Sequence, residues 1–360
     1  MSGPDFRRDG TLSAAFAQKI AELAQDMKLP DAPIKLMEVC GTHTMAIHRH
    51  GLKSLLPPGI ELISGPGCPV CVTPLRLVDK ALSFAMLPGV CFCVYGDMMG
   101  VPGSRGSLRE APGADIRVVH SPLDALALAR RLPQKVVIFW GVGFETTAPA
   151  TAAVIKSAAQ NGVKNFFVFC AHKTMPAALR LLLAENRRIA GLICPGHVAT
   201  ITGERAFAGL SVPAVIAGFE PVEIMEALYL LVRQIARGEA RLQTAYRRYV
   251  REEGNPAAQA LMGEVFLAAN AQWRGLGLIE GSGLKIAPEY AAWDAEVHFE
   301  VESVEAEENP VCACGDILRG EKGPRECPLF AAACTPQNPL GPCMVSGEGS
   351  CAAAYKYGGF

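Results

Sequence analysis

Cysteines at short, defined spacings carry most of the chemistry that this sequence could perform. Cys68 and Cys71 form a Cys-x-x-Cys motif within the stretch Ser-Gly-Pro-Gly-Cys-Pro-Val-Cys at 64–71, directly after an apolar run that predicts a strand. Two thiols at this spacing can close a reversible disulfide or bind one metal ion, and a helix that starts at the motif would stabilise a thiolate. A structural zinc half-site is the alternative, although no second Cys-x-x-Cys lies nearby to complete it.

A second thiol, Cys40, ends another predicted strand in the stretch Glu-Val-Cys-Gly-Thr-His-Thr at 38–44. His43 follows three residues later, close enough to exchange a proton with the thiol or to share a metal ion with it. A buried cysteine beside a turn would produce the same local pattern. The residues therefore predict either a reactive thiol with a nearby imidazole or a purely structural turn.

Further polar side chains follow other predicted strands. The Pro-Gly-His turn at 195–197 presents His197 at a strand end, either as a functional group or as a structural histidine. Cys170 and Cys194 lie near strand ends and read mainly as small buried side chains. Asp97 and Glu145 could orient histidine or lysine groups in a cleft or cap the helices that follow them.

The C-terminal segment from about residue 309 combines many prolines and glycines with six cysteines and shows little helical or strand periodicity. Such a segment lacks the apolar pattern for a core of its own, so metal bonds are expected to stabilise it. Six thiols exceed the four that one zinc ion or one [4Fe-4S] cluster requires, which leaves a spare pair. The six are Cys312, Cys314, Cys327, Cys334, Cys343 and Cys351.

The elements that must position these groups alternate between short apolar strands and helix-like segments from about 34 to 217. This pattern is typical of parallel sheets with crossover helices, in which ligands bind outside the carboxyl ends of the strands. We predict an α/β fold with two similar parallel-sheet domains, 1–125 and 126–220, and a smaller irregular cysteine-rich domain within 221–360 that begins with a long helix over 221–250. The predicted strands are Ile34–Val39, Ile60–Ile63, Val90–Tyr95, Ile116–Val119, Val136–Trp140, Phe166–Phe169, Gly191–Ile193 and Ala214–Ala217.

Composition excludes several classes of function. The 34 Lys and Arg nearly balance the 35 Asp and Glu, so the net charge of -1 provides no electrostatic footprint for nucleic acid. The longest uncharged apolar run, 81–96, is too short to span a bilayer and contains Pro-Gly. The first residues show no signal-peptide pattern. Thirteen cysteines are therefore expected in the reducing cytosol, where metal or thiol chemistry is favoured over a disulfide framework.

The motifs Cys-Gly-Thr-His at 40–43, Gly-Pro-Gly-Cys-Pro-Val-Cys at 65–71 and Pro-Gly-His-Val at 195–198, together with the terminal cysteine array, resemble those of the HypD hydrogenase maturation family over nearly the whole length. The resemblance implies two α/β domains and a third, cluster-bearing domain. It implies a maturation factor for [NiFe] hydrogenases that forms complexes with the small chaperone HypC and then with HypE, which donates cyanide.

The resemblance also implies roles for individual residues. Cys40 would be a ligand of the Fe(CN)2CO unit, and Cys68 and Cys71 would form a redox-active dithiol. From their positions in the sequence, we assign His43 and His197 as candidate groups for proton transfer or hydrogen bonding at this site. A [4Fe-4S] cluster would be held by four thiols whose spacing of 14, 6 and 16 intervening residues is similar to the family pattern. These ligands are Cys312, Cys327, Cys334 and Cys351, which leaves Cys314 and Cys343 as a dithiol beside the cluster.

Two other classes of function fit the thiol motifs. One is a stand-alone [4Fe-4S] thiol-disulfide oxidoreductase similar to ferredoxin-thioredoxin reductase, and the other is a zinc-stabilised binding module. Iron and sulfide analysis separates the zinc module from a cluster protein. Infrared bands from iron-bound cyanide and carbonyl separate an assembly scaffold, with or without its own redox activity, from a reductase.

Overall fold

The chain was studied as a computed structural model that describes residues 9–27, 32–302 and 307–358. Those residues form an α/β fold in which most strands are short and buried, as expected for parallel sheets covered by helices. All eight strands predicted from the sequence are present within two residues of their predicted ends. The strands are β1 Ile34–Glu38, β2 Ile60–Ser64, β3 Val90–Val94, β4 Asp115–Val118, β5 Val136–Gly141, β6 Phe166–Cys170, β7 Ile189–Pro195, β8 Ala214–Ala217, β9 Leu242–Thr244, β10 Phe266–Trp273 and β11 Gly277–Ile286.

Helices follow most of these strands, with short 3-10 turns in several loops. Their ends carry the expected signals: Ser121 caps a helix that begins with Pro122 and runs to Arg131, as predicted. The helices are α1 Gly10–Asp26, α2 Gly41–Arg49, α3 Pro69–Val72, α4 Leu75–Ala85, α5 Pro122–Arg131, α6 Ala148–Gln160, α7 Met175–Glu185, α8 Gly196–Thr202, α9 Pro221–Ala236, α10 Pro256–Val265, α11 Ala295–His298, α12 Cys314–Leu318 and α13 Ser350–Tyr357.

Two parallel sheets organise the α/β part. The first has the strand order β2-β1-β7-β8-β9, and the second has the order β4-β3-β5-β6. Each sheet takes strands from both sides of residue 125, so the sheets do not follow the predicted boundary between the first two domains. The second sheet lies within the chain segment that separates β2 from β7, which makes the first sheet discontinuous in sequence.

The predicted helix over 221–250 is correct only in its first half. Helix α9 ends at Ala236, and Gly238 then adopts a left-handed φ of 63° that stops the helix. The chain continues into β9, the edge strand of the first sheet. The basic residues that suggested a helix end lie beyond β9 instead, where Arg248 forms an ion pair with Glu223 and stacks against Tyr246.

The rest of the chain packs against the two parallel sheets and their helices. Strands β10 and β11 form an antiparallel hairpin that the sequence analysis did not predict. The cysteine-rich segment has only short helices, and its buried side chains, among them Ile317, Leu318 and Met344, belong to the same apolar cluster as Phe92 and Trp140 of the second sheet. This segment therefore shares the core of the α/β part. Among the described residues, no helix is long and apolar enough to cross a membrane.

Candidate functional site

Three neighbouring strands of the first sheet deliver the predicted functional groups to one edge. Cys40 follows β1, Cys68 follows β2 and His197 follows β7, and these strands are adjacent in the order β2-β1-β7. Because the strands are parallel, their carboxyl ends open on the same side. Cys40 and His197 both line an open cavity of about 370 Å³ there, which we call the cleft.

The loops that carry Cys40 and the Cys-x-x-Cys motif are in direct backbone contact. Gly41 donates its N–H to the carbonyl of Gly67 at 3.0 Å. A Cβ atom on Gly67 would lie 2.1 Å from the backbone nitrogen of Cys40, which is far inside van der Waals contact. Only glycine therefore permits this approach, and the approach fixes Cys40 beside Cys68.

Cys40 is the N-cap residue of helix α2, and the nearby backbone N–H groups of His43 and Thr42 act to lower the pKa of its thiol. Burial nevertheless raises the pKa of the Cys40 thiol to about 12, and the charge of Glu348 adds to this increase. The free side chain is therefore protonated at neutral pH. The two N–H groups favour the thiolate once a cation or metal centre offsets the cost of burial.

The two predicted histidines stack on opposite sides of Phe219, which the sequence analysis did not single out. The ring centroid of His43 lies 4.7 Å from that of Phe219, and the His197 centroid lies 3.8 Å from it. His43 is fully buried and donates from Nε2 to the carbonyl of Gly218 at 2.8 Å. Burial lowers its pKa to about 4, so the ring is neutral and Nδ1 is left as an acceptor without a partner among the described residues.

The ring of His43 hydrogen-bonds to Gly218 and stacks on Phe219. His197, by contrast, presents an exposed ring to the cleft, and partial burial lowers its pKa. His197 is therefore largely neutral near pH 7 and can accept a proton. The exposed ring is the better placed of the two for proton transfer with a group bound in the cleft.

The C-terminal segment closes one side of the cleft with groups that the sequence analysis missed. Thr42 donates its hydroxyl to Glu348 Oε1 at 2.9 Å, and Ser346 donates to Asp97 Oδ2 at 2.7 Å. Gly41 leaves room for Glu348, since a Cβ atom at Gly41 would lie 2.5 Å from the Cβ of Glu348. The only sequence feature that could have indicated Glu348 is its position between two glycines, shortly before Cys351.

Four thiols, two from the Cys-x-x-Cys motif and two from the C-terminal segment, lie one after another in space. Cys68 caps α3 and accepts the backbone N–H of Cys71 at 3.3 Å, as expected for a motif that opens a helix. The Cys71 thiol lies close enough to Cys343 for the two to influence each other's pKa, and the Cys343 sulfur lies 2.9 Å from the Cys314 sulfur. Burial raises the pKa of Cys71 well above its ordinary value. We call these four residues the thiol row.

The remaining C-terminal thiols surround the far end of the thiol row. Burial raises the pKa of Cys351 well above its ordinary value, and the charges of four neighbouring cysteines raise it further. Among the described residues, no group of three His, Cys, Asp or Glu side chains has the geometry to hold one metal ion. Gly341 approaches so closely that a Cβ atom there would lie 2.6 Å from the Cys312 sulfur. The neighbours of Cys351 are Cys312, Cys314, Cys327 and Cys334.

Comparison with known proteins agrees with this arrangement of motifs. The HypD family model, described as "Hydrogenase formation hypA family", matches residues 11–358. This chain belongs to the HypD family. It is 47% identical over 365 residues to the hydrogenase maturation factor HypD of Azotobacter vinelandii, with 98% of this chain and 95% of the relative covered. The HypD protein of Escherichia coli K12 is 43% identical over 335 residues, with 91% and 90% covered.

Several other predicted groups of this HypD-family chain have structural roles. Glu145 accepts the backbone N–H of Met175 at 2.9 Å and thereby caps α7, and burial raises its pKa to about 7. Asp97 accepts a hydrogen bond from Ser346. Among the described residues, neither Asp97 nor Glu145 forms a hydrogen bond with a histidine or lysine side chain. Cys194 is fully buried among apolar side chains of the core.

Proposed function

We propose that this HypD-family chain, a hydrogenase maturation factor, is a scaffold on which the Fe(CN)2CO unit of [NiFe] hydrogenases is assembled. The observation that carries the proposal is the thiol row, which runs from Cys68, next to the loop that contacts the Cys40 loop, to the C-terminal cysteines. Such an arrangement combines a metal-binding thiol with a path for thiol-disulfide exchange. A scaffold that only held iron would not need the second part.

Cys40 is the proposed ligand of the iron unit, which is the cargo of this protein. A low-spin iron that carries cyanide and carbonyl is a soft centre and favours a thiolate ligand. The cleft of about 370 Å³ provides room for a small complex beside Cys40. The backbone N–H groups of His43 and Thr42 lower the pKa of this thiol and so support the thiolate form that metal binding requires.

Binding of iron to Cys40 releases the thiol proton, and His197 is the proposed acceptor. Its ring lines the same cleft and is largely neutral near pH 7 because partial burial lowers its pKa. Glu348 also lines the cleft and contacts the Cys40 loop through Thr42. His43 is the proposed positioning residue, because its ring holds Phe219, on which His197 stacks.

The thiol row supports an exchange of two electrons between two dithiols. If Cys68 and Cys71 form a disulfide, the Cys343 thiolate can attack Cys71, which breaks that bond and releases Cys68 as a thiolate. Attack of Cys314 on Cys343 then releases Cys71. One disulfide has been exchanged for another, so the two electrons and two protons of the Cys314 and Cys343 dithiol have been transferred to Cys68 and Cys71.

The remaining four C-terminal thiols fit a resident [4Fe-4S] cluster. Cys312, Cys327, Cys334 and Cys351 lie close enough for the charges of the other three to raise the pKa of Cys351, so binding of a cationic cluster would relieve their mutual repulsion. When bound, the cluster supplies one-electron transfer. Cys314, which is also a neighbour of Cys351, begins the thiol row on this side.

Two partner proteins belong to the proposal, which places the reaction in the cytoplasm. A HypC-type chaperone would provide a second thiolate to iron at the open side of the cleft, and a HypE-type protein would deliver cyanide there. The exposed ring of His197 at the cleft supports access from that side. Neither nucleic acid nor a membrane takes part.

Infrared spectroscopy of the chain purified in complex with a HypC-type partner tests the proposal. We expect bands of iron-bound cyanide and carbonyl in the parent and their loss in Cys40→Ala, because a methyl group cannot ligate iron. Cys194→Ala is the matched control, since it removes a buried thiol outside the cleft and should keep the bands. Normal bands in Cys40→Ala would contradict the ligand role of Cys40.

A second candidate function is a stand-alone thiol-disulfide oxidoreductase with a [4Fe-4S] cluster. The thiol row favours it as well, because the row alone would suffice to reduce an external disulfide. The two candidates differ at Cys40, which a reductase does not need. Disulfide reductase activity that survives Cys40→Ala, in a chain that never shows cyanide or carbonyl bands, would favour the reductase.

A further inference from the structure

A second cavity, of about 290 Å³, lies between the hairpin β10–β11 and the carboxyl end of β6. None of the residues that line it also lines the cleft. Backbone hydrogen bonds fix its walls, since Leu284 donates to the carbonyl of His172 at 3.1 Å and Thr174 donates to that of Ser282 at 2.9 Å. The cavity is thus a separate and preformed feature of the fold.

The charges around this cavity do not cancel. Four cationic and two anionic side chains line it, which leaves two positive charges. Cys170 and His172 also line it, but burial raises the pKa of Cys170 to about 12 and lowers that of His172 to about 3, so both are neutral. The charged lining residues are Arg76, Lys80, Lys173, Lys285, Asp294 and Glu296.

The two carboxylates are already engaged with other cations. Glu296 forms an ion pair with Lys80, and the charges of Lys285 and Lys80 act on Asp294. Among the described residues, no carboxylate forms an ion pair with Lys173 or Arg76. The two uncompensated charges of the cavity therefore belong to Lys173 and Arg76.

Lys173 is the critical group, because its side chain is only 2% exposed. Its Nζ donates to the carbonyl of Gln272 at 2.9 Å and lies 5.7 Å from the ring centroid of Trp273. An ammonium has three N–H donors, so two of them have no acceptor among the residues that the structure describes. Burial lowers the pKa of Lys173 to about 8, and the charge of Arg76 lowers it as well. The amine is still mainly protonated at neutral pH.

We propose that this cavity binds a small dianion, either a phosphate group or a short dicarboxylate, between Lys173 and Arg76. The buried ammonium of Lys173 is costly unless an anion compensates its charge, and the charge of Arg76 increases that cost. The planar guanidinium of Arg76 suits two oxygens of such a ligand, and the ammonium supplies a further charged hydrogen bond. The volume is at the lower limit of typical ligand sites, which favours a small molecule. The inference does not depend on the proposed function.

Titration calorimetry on the full-length chain tests this site, with inorganic phosphate and malonate as probes at constant ionic strength. We expect one saturable site in the parent. Arg76→Gln and Lys173→Met should each weaken binding about tenfold or more, as for other hydrogen bonds to charged groups. Tighter binding of phosphate than of malonate identifies a phosphate site, and the reverse order identifies a dicarboxylate site.

Arg105→Gln is the matched control. Arg105 is an exposed arginine that pairs with Glu302 outside the cavity, so its replacement should leave the affinity unchanged. Arg76 is itself exposed, so Arg76→Gln should fold even if Lys173→Met does not. The proposal is overturned if the parent binds neither probe saturably, or if Arg76→Gln binds as tightly as the Arg105→Gln control.

Discussion

The close contact between the Cys40 loop and the Cys-x-x-Cys loop predicts that Gly67→Ala destabilises the protein and disturbs both thiol motifs. The added Cβ atom would lie 2.1 Å from the Cys40 nitrogen and 2.3 Å from the carbonyl carbon of Val39. Ordinary van der Waals contacts begin near 3.4 Å. Because both neighbours are backbone atoms, a change of rotamer cannot relieve the clash, and one loop must move by about 1 Å.

Three contributions set the size of the effect. Overpacking of this kind costs about 1–3 kcal/mol. Loss of the hydrogen bond from Gly41 to Gly67 costs about 1 kcal/mol more. Alanine has less conformational entropy than glycine in the unfolded chain, which offsets about 0.4–1 kcal/mol of the lost stability. The free energy of unfolding should therefore fall by about 2 kcal/mol in Gly67→Ala.

Urea unfolding of purified parent and variants measures this change from the transition midpoint at constant slope. Gly263→Ala is the matched control, because Gly263 lies within α10 with no atom within 4 Å of its added Cβ. Alanine is the better helix former, so this control should gain up to about 1 kcal/mol. Equal stability of Gly67→Ala and the parent would refute the close approach on which the site geometry depends.

Three further predictions concern the thiols and their neighbours. His43→Ala should reduce hydrogenase maturation, because its ring holds Phe219, on which His197 stacks, but by less than the ~100-fold or more that loss of a general base costs. Unchanged maturation would indicate that His43 has only a structural role. Cys68→Ser and Cys71→Ser should each abolish maturation without loss of iron; co-purifying zinc that disappears in both variants would indicate a metal half-site instead. Serine at Cys327, Cys334 or Cys351 should remove the visible cluster absorption, whereas Cys314→Ser and Cys343→Ser should largely preserve it. If the last two variants lose iron while Cys312→Ser keeps it, the ligand set is wrong, and if none of the six loses iron, no cluster is bound.

Local pattern was sufficient to predict the strands and the loops that carry Cys40 and Cys68. Buried parallel strands appear as continuous apolar runs, of which β3 is an example with all five residues buried. Which strands pair is not encoded locally, so the partnership of β1 with β7 could not be predicted. Strands β10 and β11 were missed because polar residues such as Asn270 and Gln272 and glycines such as Gly281 and Gly283 weaken the apolar pattern.

The candidate site was only partly predictable for the same reason. Motif spacing indicated the Cys-x-x-Cys pair, but the approach of Cys71 to Cys343 joins residues 272 positions apart. Glu348 and Phe219 complete the cleft from elements whose positions only the tertiary structure determines. Side chains that are functional because of their neighbours leave little signal in a single sequence.

The discontinuous first sheet has a consequence for biosynthesis. Lys35 of β1 pairs with Ile189 of β7, so β1 cannot acquire this partner until about 154 further residues have left the ribosome. At a synthesis rate of about 5–20 residues per second, the delay is roughly 8–30 s. The second sheet, formed by strands within 90–170, can close during that time. The nascent chain must therefore carry an unsatisfied edge of β1, together with Cys40, until its C-terminal half arrives.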